Sequence, residues 1–410
     1  MRRFLFCIMA LSVMCTGTTQ AQKQFAWINP ISGGIDAGGL RDCFVFHAEG
    51  YWYLTGTSAP HWGDCYSNPG VRLYRSKDMI NWKQTGIIIP NPGVSKWYAS
   101  RFWAPEITCI GGRYYCTFNC RNERNGFNVG QSWGIAVAEH PEGPYTVLSD
   151  EAPVSRGNDV TLFEDTDGQV WAAWCGASAE HPDGNVMTLA RIDLATLKLS
   201  DVHEIFGGGS GDIADTGWDR CGVEGPALFK RGDTYFMMYS SWQRGYEVGV
   251  ATAKDLNGTW TKSHLNPLFG AQSQSKWDDA VEGDWQDLGH NTVFTGPDGR
   301  PWLSCHGQLR GSGLPPMLVI QPLVFDDCNN LQRMDIPHKY QKVVWNETSS
   351  VSTPRTDGSL SDKAGNGYRK ASRAARKRRG HNAAWNLDGL TAGDSARGVV
   401  VAYDRKYINQ

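Results

Sequence analysis

The sequence predicts an all-β chain folded as a five-bladed β-propeller. The first observation is a recurring hairpin. Runs beginning at Asp42, Trp103, Asp159, Glu224 and His290 each read as a β-prone strand, a turn closing in Gly, and an aromatic-rich strand. The second is their period. The turn residues Gly50, Gly112, Gly168, Gly232 and Gly299 lie 62, 56, 64 and 67 residues apart. The third is a further strand-forming run after each hairpin. VRLYRSKDMINWKQT, GIAVAEHPEGPYTVL, MTLARIDLATLKLSD, VGVATAKDLNGTWTKS and LVIQPLVFDDCNNLQRM occupy matching places. Each unit therefore holds about four strands, the content of one blade. A composition of 47 Gly and 17 Trp fits such a turn-rich, all-β protein.

Before the first unit, residues 1–21 read as a secretory signal. Arg2 and Arg3 give a positive start, Phe4 to Met14 is a short apolar run, and Thr19-Gln20-Ala21 resembles a peptidase site. That run is too short to anchor the chain across a bilayer. Met14 before Cys15 is too large for a usual lipoprotein signal. The mature protein is thus expected outside the cytoplasm, secreted or periplasmic, with no membrane span. Its formal net charge of −2 gives no global basic field, which argues against a nucleic-acid partner. Oligomeric state is not legible.

Residues 22–345 are read as one propeller domain, and 346–410 as a basic, disordered C-terminal tail. From 351 onward 12 Lys and Arg face 5 Asp and Glu, with no sixth hairpin. Of 11 cysteines, two fall in the signal, leaving nine, which cannot all pair internally. Export permits disulfides, and Cys43 with Cys65 or Cys109 with Cys120 could bridge. The plainer reading is buried free thiols. Cys116 and Cys120 lack the second ligand pair of a zinc site.

In a propeller the first strand of each blade lines the central channel. The residues opening those strands gather at one end of it. Here they are Asp42, the corner Trp103–Glu106, Asp159, Glu224 and His290. Three are carboxylic acids from distant parts of the chain. A purely structural acid should recur in all five blades, and these do not. Carboxylates crowded in a dry cleft perturb one another, so that one stays protonated and another ionised. That division suits hydrolysis of a glycosidic bond, with an acid on the leaving oxygen and a base on water. Asp165-Thr166-Asp167-Gly168 lacks the spacing of a calcium loop and reads as a hairpin turn.

These residues carry a resemblance to glycoside hydrolase family 43. It runs from about Phe25 to Trp345 through RDCFVFHAEGYWYLTGT, FWAPEI with GGRYYCTF, DVTLFEDTDG, VEGPALFK with YFMMYSS, and GHNTVF. The resemblance implies an inverting hydrolase. Asp42 would be the general base, Glu224 the general acid, and Asp159 the acid that tunes and orients the proton donor. His290 resembles a channel histidine found beside a metal in many members. No cofactor is required, and calcium in the central channel is allowed. The family usually has Pro where Cys43 and Val160 stand here.

The carbohydrate partner implied carries α-L-arabinofuranosyl or β-D-xylosyl units on plant-type polysaccharides or oligosaccharides. Trp103, Trp218 and His290 are the candidate substrate contacts. Packing between blades is an equal reading for Trp62, Trp242 and Trp285. His61 reads as a surface-loop residue, and Arg41 as support for the propeller floor. Two rivals remain: a catalytically inactive sugar-binding propeller, and a retaining fructan-type hydrolase. The second would need an Asp that Trp27-Ile28-Asn29-Pro30 lacks.

Overall fold

The structure, a computed structural model, describes residues 22–177, 185–208, 217–220, 222–242, 246–271 and 283–346. The proposed signal, 1–21, and all of the proposed tail except Asn346 lie outside them. Strand β1 (Gln22–Ile28) precedes the first blade, β2 (Leu40–Ala48), β3 (Tyr51–Ser58), β4 (Gly70–Ser76) and β5 (Lys83–Pro90). The second blade is β6 (Ser100–Ile110), β7 (Arg113–Asn122) and β8 (Val129–Ala138), with the short β9 (Thr146–Val147) and β10 (Ser155–Arg156) both on β8. The third is β11 (Asn158–Glu164), β12 (Val170–Ala177), β13 (Asn185–Asp193) and β14 (Lys198–Gly207). The fourth is β15 (Glu224–Arg231), β16 (Thr234–Ser241) and β17 (Glu247–Ala253), with β18 (Thr261–Lys262) and β19 (Phe269–Gly270) on β17. The fifth is β20 (Trp285–Thr295), β21 (Pro301–Leu309) and β22 (Met317–Pro322), and β23 (Tyr340–Asn346) comes after it. Every expected hairpin is present as an antiparallel pair. All five turn glycines take positive φ, from 61° to 83°, which is why Gly recurs there.

The core is not one mass. It is five apolar clusters, one in each gap between consecutive blades. Sequence alternation sends residues to both gaps. Along β16, Phe236 and Met238 face the fifth blade, while Tyr235, Met237 and Tyr239 face the third. Strands buried on both faces read as near-continuous apolar runs, and YFMMY is one.

Ring closure uses the N-terminus. β1 pairs antiparallel with β23. Ile31 bridges to Leu318 of β22. The fully buried Asn29 amide donates to Ile320 O at 2.9 Å and accepts from Ile320 N at 3.1 Å, imitating a strand edge. Trp27 packs on Trp302 at 5.0 Å between ring centroids. The first segment is thus fastened to the last blade. Among the described residues no helix is long and apolar enough to cross a membrane.

Candidate active site

Each inner strand breaks register at the same place. The breaks fall between Arg41 and Phe44, Trp103 and Glu106, Asn158 and Thr161, Glu224 and Ala227, and Gly289 and Thr292. Such bulges re-aim side chains. The first residue of each is left-handed: Asp42 (φ 52°), Ala104 (40°), Asp159 (57°), Gly225 (59°) and His290 (53°). Four of the five are not glycine, so the chain holds strain here, as functional sites often do.

This register corrects one expectation. Asp42, Asp159 and His290 are equivalent, but Glu224 stands one residue earlier, at the place of Arg41, Trp103, Asn158 and Gly289. The left-handed place in the fourth blade belongs to Gly225. A Cβ there would come 3.2–3.3 Å from the His290 ring.

The bulges are tied across blades. The second strand of one blade offers a side chain to the bulge N–H of the next. Ala104 N donates to Thr57 Oγ1 at 2.8 Å. Asp159 N donates to Asn119 Oδ1 at 3.0 Å. His290 N donates to Ser240 Oγ at 2.9 Å. Asp42 N donates to His306 Nδ1 at 3.0 Å. At the fifth place stands Cys175, and Gly225 N donates instead to Asp159 Oδ2 at 3.2 Å. The third-blade acid is therefore fixed by the backbone just after Glu224.

The acids meet in a cleft lined by Arg41, Asp42, Thr57, His61, Trp62, Trp103, Asn158, Asp159, Glu224, Tyr246 and His290. Asp42 Oδ2 accepts from Thr57 Oγ1 at 2.5 Å, and its Oδ1 lies 3.3 Å from Nδ1 of both His290 and His306. Asp159, Glu224 and His290 each bring one donor atom within 4.8 Å of the others.

Burial alone would raise the Asp42 carboxyl. The charges of His290 and Arg41 oppose it, and Asp42 is held well below the usual carboxylate range. Burial also raises Glu224, and the charges of Asp159 and Asp42 push it further, well above its ordinary value; Arg41 opposes them. Burial raises Asp159 as well, together with Asp42 and against His290. One cleft thus holds one carboxyl pushed down and another pushed up, the division that acid–base catalysis uses.

Asp42, Asp159, Glu224, His290 and Trp103 come together as expected. Trp218 does not. It is 2% exposed and packs on Tyr239 at 5.3 Å in the core between the third and fourth blades, so it is not a cleft residue. Glu106 also lies outside the cleft lining, buried two residues past Ala104. His61 and Arg41, read as loop and floor, both line the cleft, and so does Trp62, which is 63% exposed. Trp62 stands edge-on to Trp103 at 5.1 Å, and Arg41 lies 5.7 Å over Trp62 and 5.5 Å over Tyr246.

Sequence reasoning does not single out Tyr246 or His306. His306 does carry a signal, because its position opposite Gly289 repeats that of Thr57, Asn119 and Ser240. The DTDG turn is a hairpin turn, its Asp165 bound by Lys230 and Tyr235 of the next blade. All eight cysteines among the described residues are free, so neither Cys43 with Cys65 nor Cys109 with Cys120 bridges, and Cys221 lies outside those residues.

Could these residues hold calcium? Calcium takes six to eight oxygen ligands. Asp159, Glu224 and His290 offer two carboxylates and a nitrogen. Among the described residues the set suits that ion poorly.

The family model for glycosyl hydrolases family 43 matches residues 29–328. The beta-D-galactofuranosidase xynD of Aspergillus niger is 29% identical over 276 residues, 63% of this chain and 70% of that protein. Xylosidase/arabinosidase 43B of Humicola insolens is 26% identical over 264 residues, 61% of this chain but only 44% of its own length. Among solved structures, a thermostable family-43 glycoside hydrolase superposes with a TM-score of 0.60 at 22% identity, covering 76% of this chain and 97% of that one. An alpha-L-arabinofuranosidase from Lactobacillus brevis gives 0.59 at 21%, covering 76% and 98%. With the five blades and the three convergent acids, the family match over most of its length shows that the chain belongs to glycosyl hydrolases family 43.

Proposed function

We propose that the protein is an exported glycoside hydrolase that removes α-L-arabinofuranosyl or β-D-xylosyl units with inversion. The observation that carries this reading is the opposed environment of two acids in one cleft, where neighbouring positive charge favours the ionised form of Asp42 and burial beside Asp159 and Asp42 favours the protonated form of Glu224. Glu224 donates its proton to the glycosidic oxygen as the bond to the anomeric carbon breaks. Asp42 takes a proton from a water that attacks that carbon from the opposite face. The free sugar leaves with inverted configuration, and the two acids return to their starting states by exchange with solvent. Asp159, bonded to Gly225 N, holds the Glu224 segment in place, and its charge adds to burial in raising the Glu224 carboxyl. Trp62 and Trp103 give the mouth an apolar wall for a sugar face. The names of the similar proteins support the substrate class, and their galactofuranosidase adds a third glycoside to try.

The test compares the mature protein with Glu224→Gln on aryl α-L-arabinofuranoside, β-D-xyloside and β-D-galactofuranoside, beside arabinan and arabinoxylan. Loss of a general acid costs about 10²–10⁴ in rate. The full loss is expected on the polymers and a smaller one on aryl glycosides, whose leaving groups need less protonation. A variant as active as its parent on the polymers removes Glu224 from the acid's role. Binding to sugars without turnover by the parent means a binding propeller.

A further inference from the structure

His306 is fully buried within β21 and takes no part in the acid–base steps proposed for Asp42 and Glu224. Its counterparts in the first, second and fourth blades, Thr57, Asn119 and Ser240, do one shared job. Each accepts the bulge N–H of the next blade through a small polar side chain. A threonine, asparagine or serine is sufficient for that. His306 does the same for Asp42 through Nδ1, which puts the ring proton on Nε2. The second nitrogen is what the other blades lack. It faces Asp287 Oδ1 at 3.5 Å, and both atoms are buried with no hydrogen-bond partner. Hydrogen bonds in empty sites are often long and shorten in the complex. The other oxygen of Asp287 accepts from Arg41 Nη1 at 2.6 Å, and Arg41 is the residue before Asp42. The loop therefore closes: Arg41, Asp287, His306 and back to the Asp42 backbone. Tyr246 backs the imidazole edge-on at 5.2 Å.

We propose that His306 is a positioning residue for the base, bridging the Asp42 backbone to Asp287 so that the left-handed turn carrying Asp42 is held from both flanks. This rests on Asp42 being the base. The geometry gives it a reason beyond packing, because the direction of the attacking water's acceptor depends on how firmly that left-handed turn is held.

His306→Asn keeps an acceptor near Nδ1, as Asn119 does in the second blade, and removes Nε2. In the full chain, assayed on the best aryl glycoside at neutral pH, it is expected to lower kcat tenfold or more. KM should stay within about threefold and the melting temperature close to the parent's. Parental kcat would overturn the proposal, since the histidine would then be only an N–H acceptor.

Asp287→Asn reads the other end of the bridge, should the first variant not fold. It is expected to lower kcat at least fivefold, and a parental kcat there overturns the proposal too. The double variant should be no worse than the more damaged single, as for residues acting as a unit. Multiplying losses would contradict the bridge.

Asp42→Gly separates the underlying reading. Loss of activity with rescue by azide keeps Asp42 as base, whereas undiminished activity ends that assignment. Ring-nitrogen NMR of ¹⁵N-histidine-labelled protein, with His306→Asn to assign the signal, decides independently of any substrate. The Nε2–H tautomer is expected, and a predominant Nδ1–H tautomer overturns the bridge.

Discussion

Environment separates the carboxyl groups of this chain more than position does. Asp42 has charged and hydrogen-bonding partners on both oxygens and stays ionised. Glu106 has one oxygen buried without a partner, and burial, with the Asp159 charge and against Thr161, pushes it up to about 8. This has a consequence for stability. The unfolded carboxyl titrates near 4.5 and the folded one near 8. Between those values the native state binds the extra proton, so stability falls as pH rises, by roughly 1.4 kcal/mol per pH unit at most. Glu106→Gln lacks this slope. Thermal melts across pH are expected to show the variant more stable than its parent at pH 8, with the gap closing toward pH 4.5. A gap independent of pH would mean that Glu106 is not protonated on folding. The type of each acid could be read from the sequence, but these environments could not, because the partners of Asp42 come from the first and fifth blades.

At the scale of the strand, the bulge does the aiming. It turns Asp42, Asp159 and His290 inward from equivalent places, and it leaves Glu224 one residue behind. Gly225→Ala puts a Cβ on a left-handed residue beside the His290 ring. It should destabilise the fold by about 1–2 kcal/mol and lower kcat through displacement of Glu224 and His290. Chemical denaturation with parallel kinetics checks both effects, and an unchanged kcat would mean that the fourth bulge tolerates a methyl group.

Thr57→Val probes the tie between blades. It removes the donor to Asp42 and the acceptor for Ala104 N together. A loss of about 1–3 kcal/mol is expected from the orphaned buried groups, with a fall in kcat. The hairpins were legible in the sequence because turn glycine, alternation and aromatic content are local signals. The offset of Glu224 was not, since register depends on which residue of β16 it faces. Trp218 was misplaced for the same reason. Its chain position lies near Glu224, but its ring fills the gap against Tyr239.

For the whole molecule, five separate clusters mean that no blade is stable by itself and that the ring must close. The period of the repeat revealed the blade count, and the five gaps result from it. The closure at Asn29 was less visible, because one asparagine imitating a strand edge has no periodic signal. Asn29→Ala leaves Ile320 N and O without these partners in a buried site. A loss of about 2–4 kcal/mol is expected, read as a drop of several degrees in the melting temperature, with kcat of the folded enzyme close to the parent's. A large fall in kcat at unchanged stability would mean that closure acts on the site directly.

In the proposed reaction Asp42 and Glu224 act on opposite faces of the sugar, with the attacking water on the Asp42 side. The most direct measurement is proton NMR of the first anomer released from whichever aryl glycoside the protein cleaves, recorded before mutarotation. Inversion is expected, a β-anomer from an α-L-arabinofuranoside or an α-anomer from a β-D-xyloside. Release of the retained anomer would require a covalent intermediate and would contradict the assignment of Asp42 as a base acting on water.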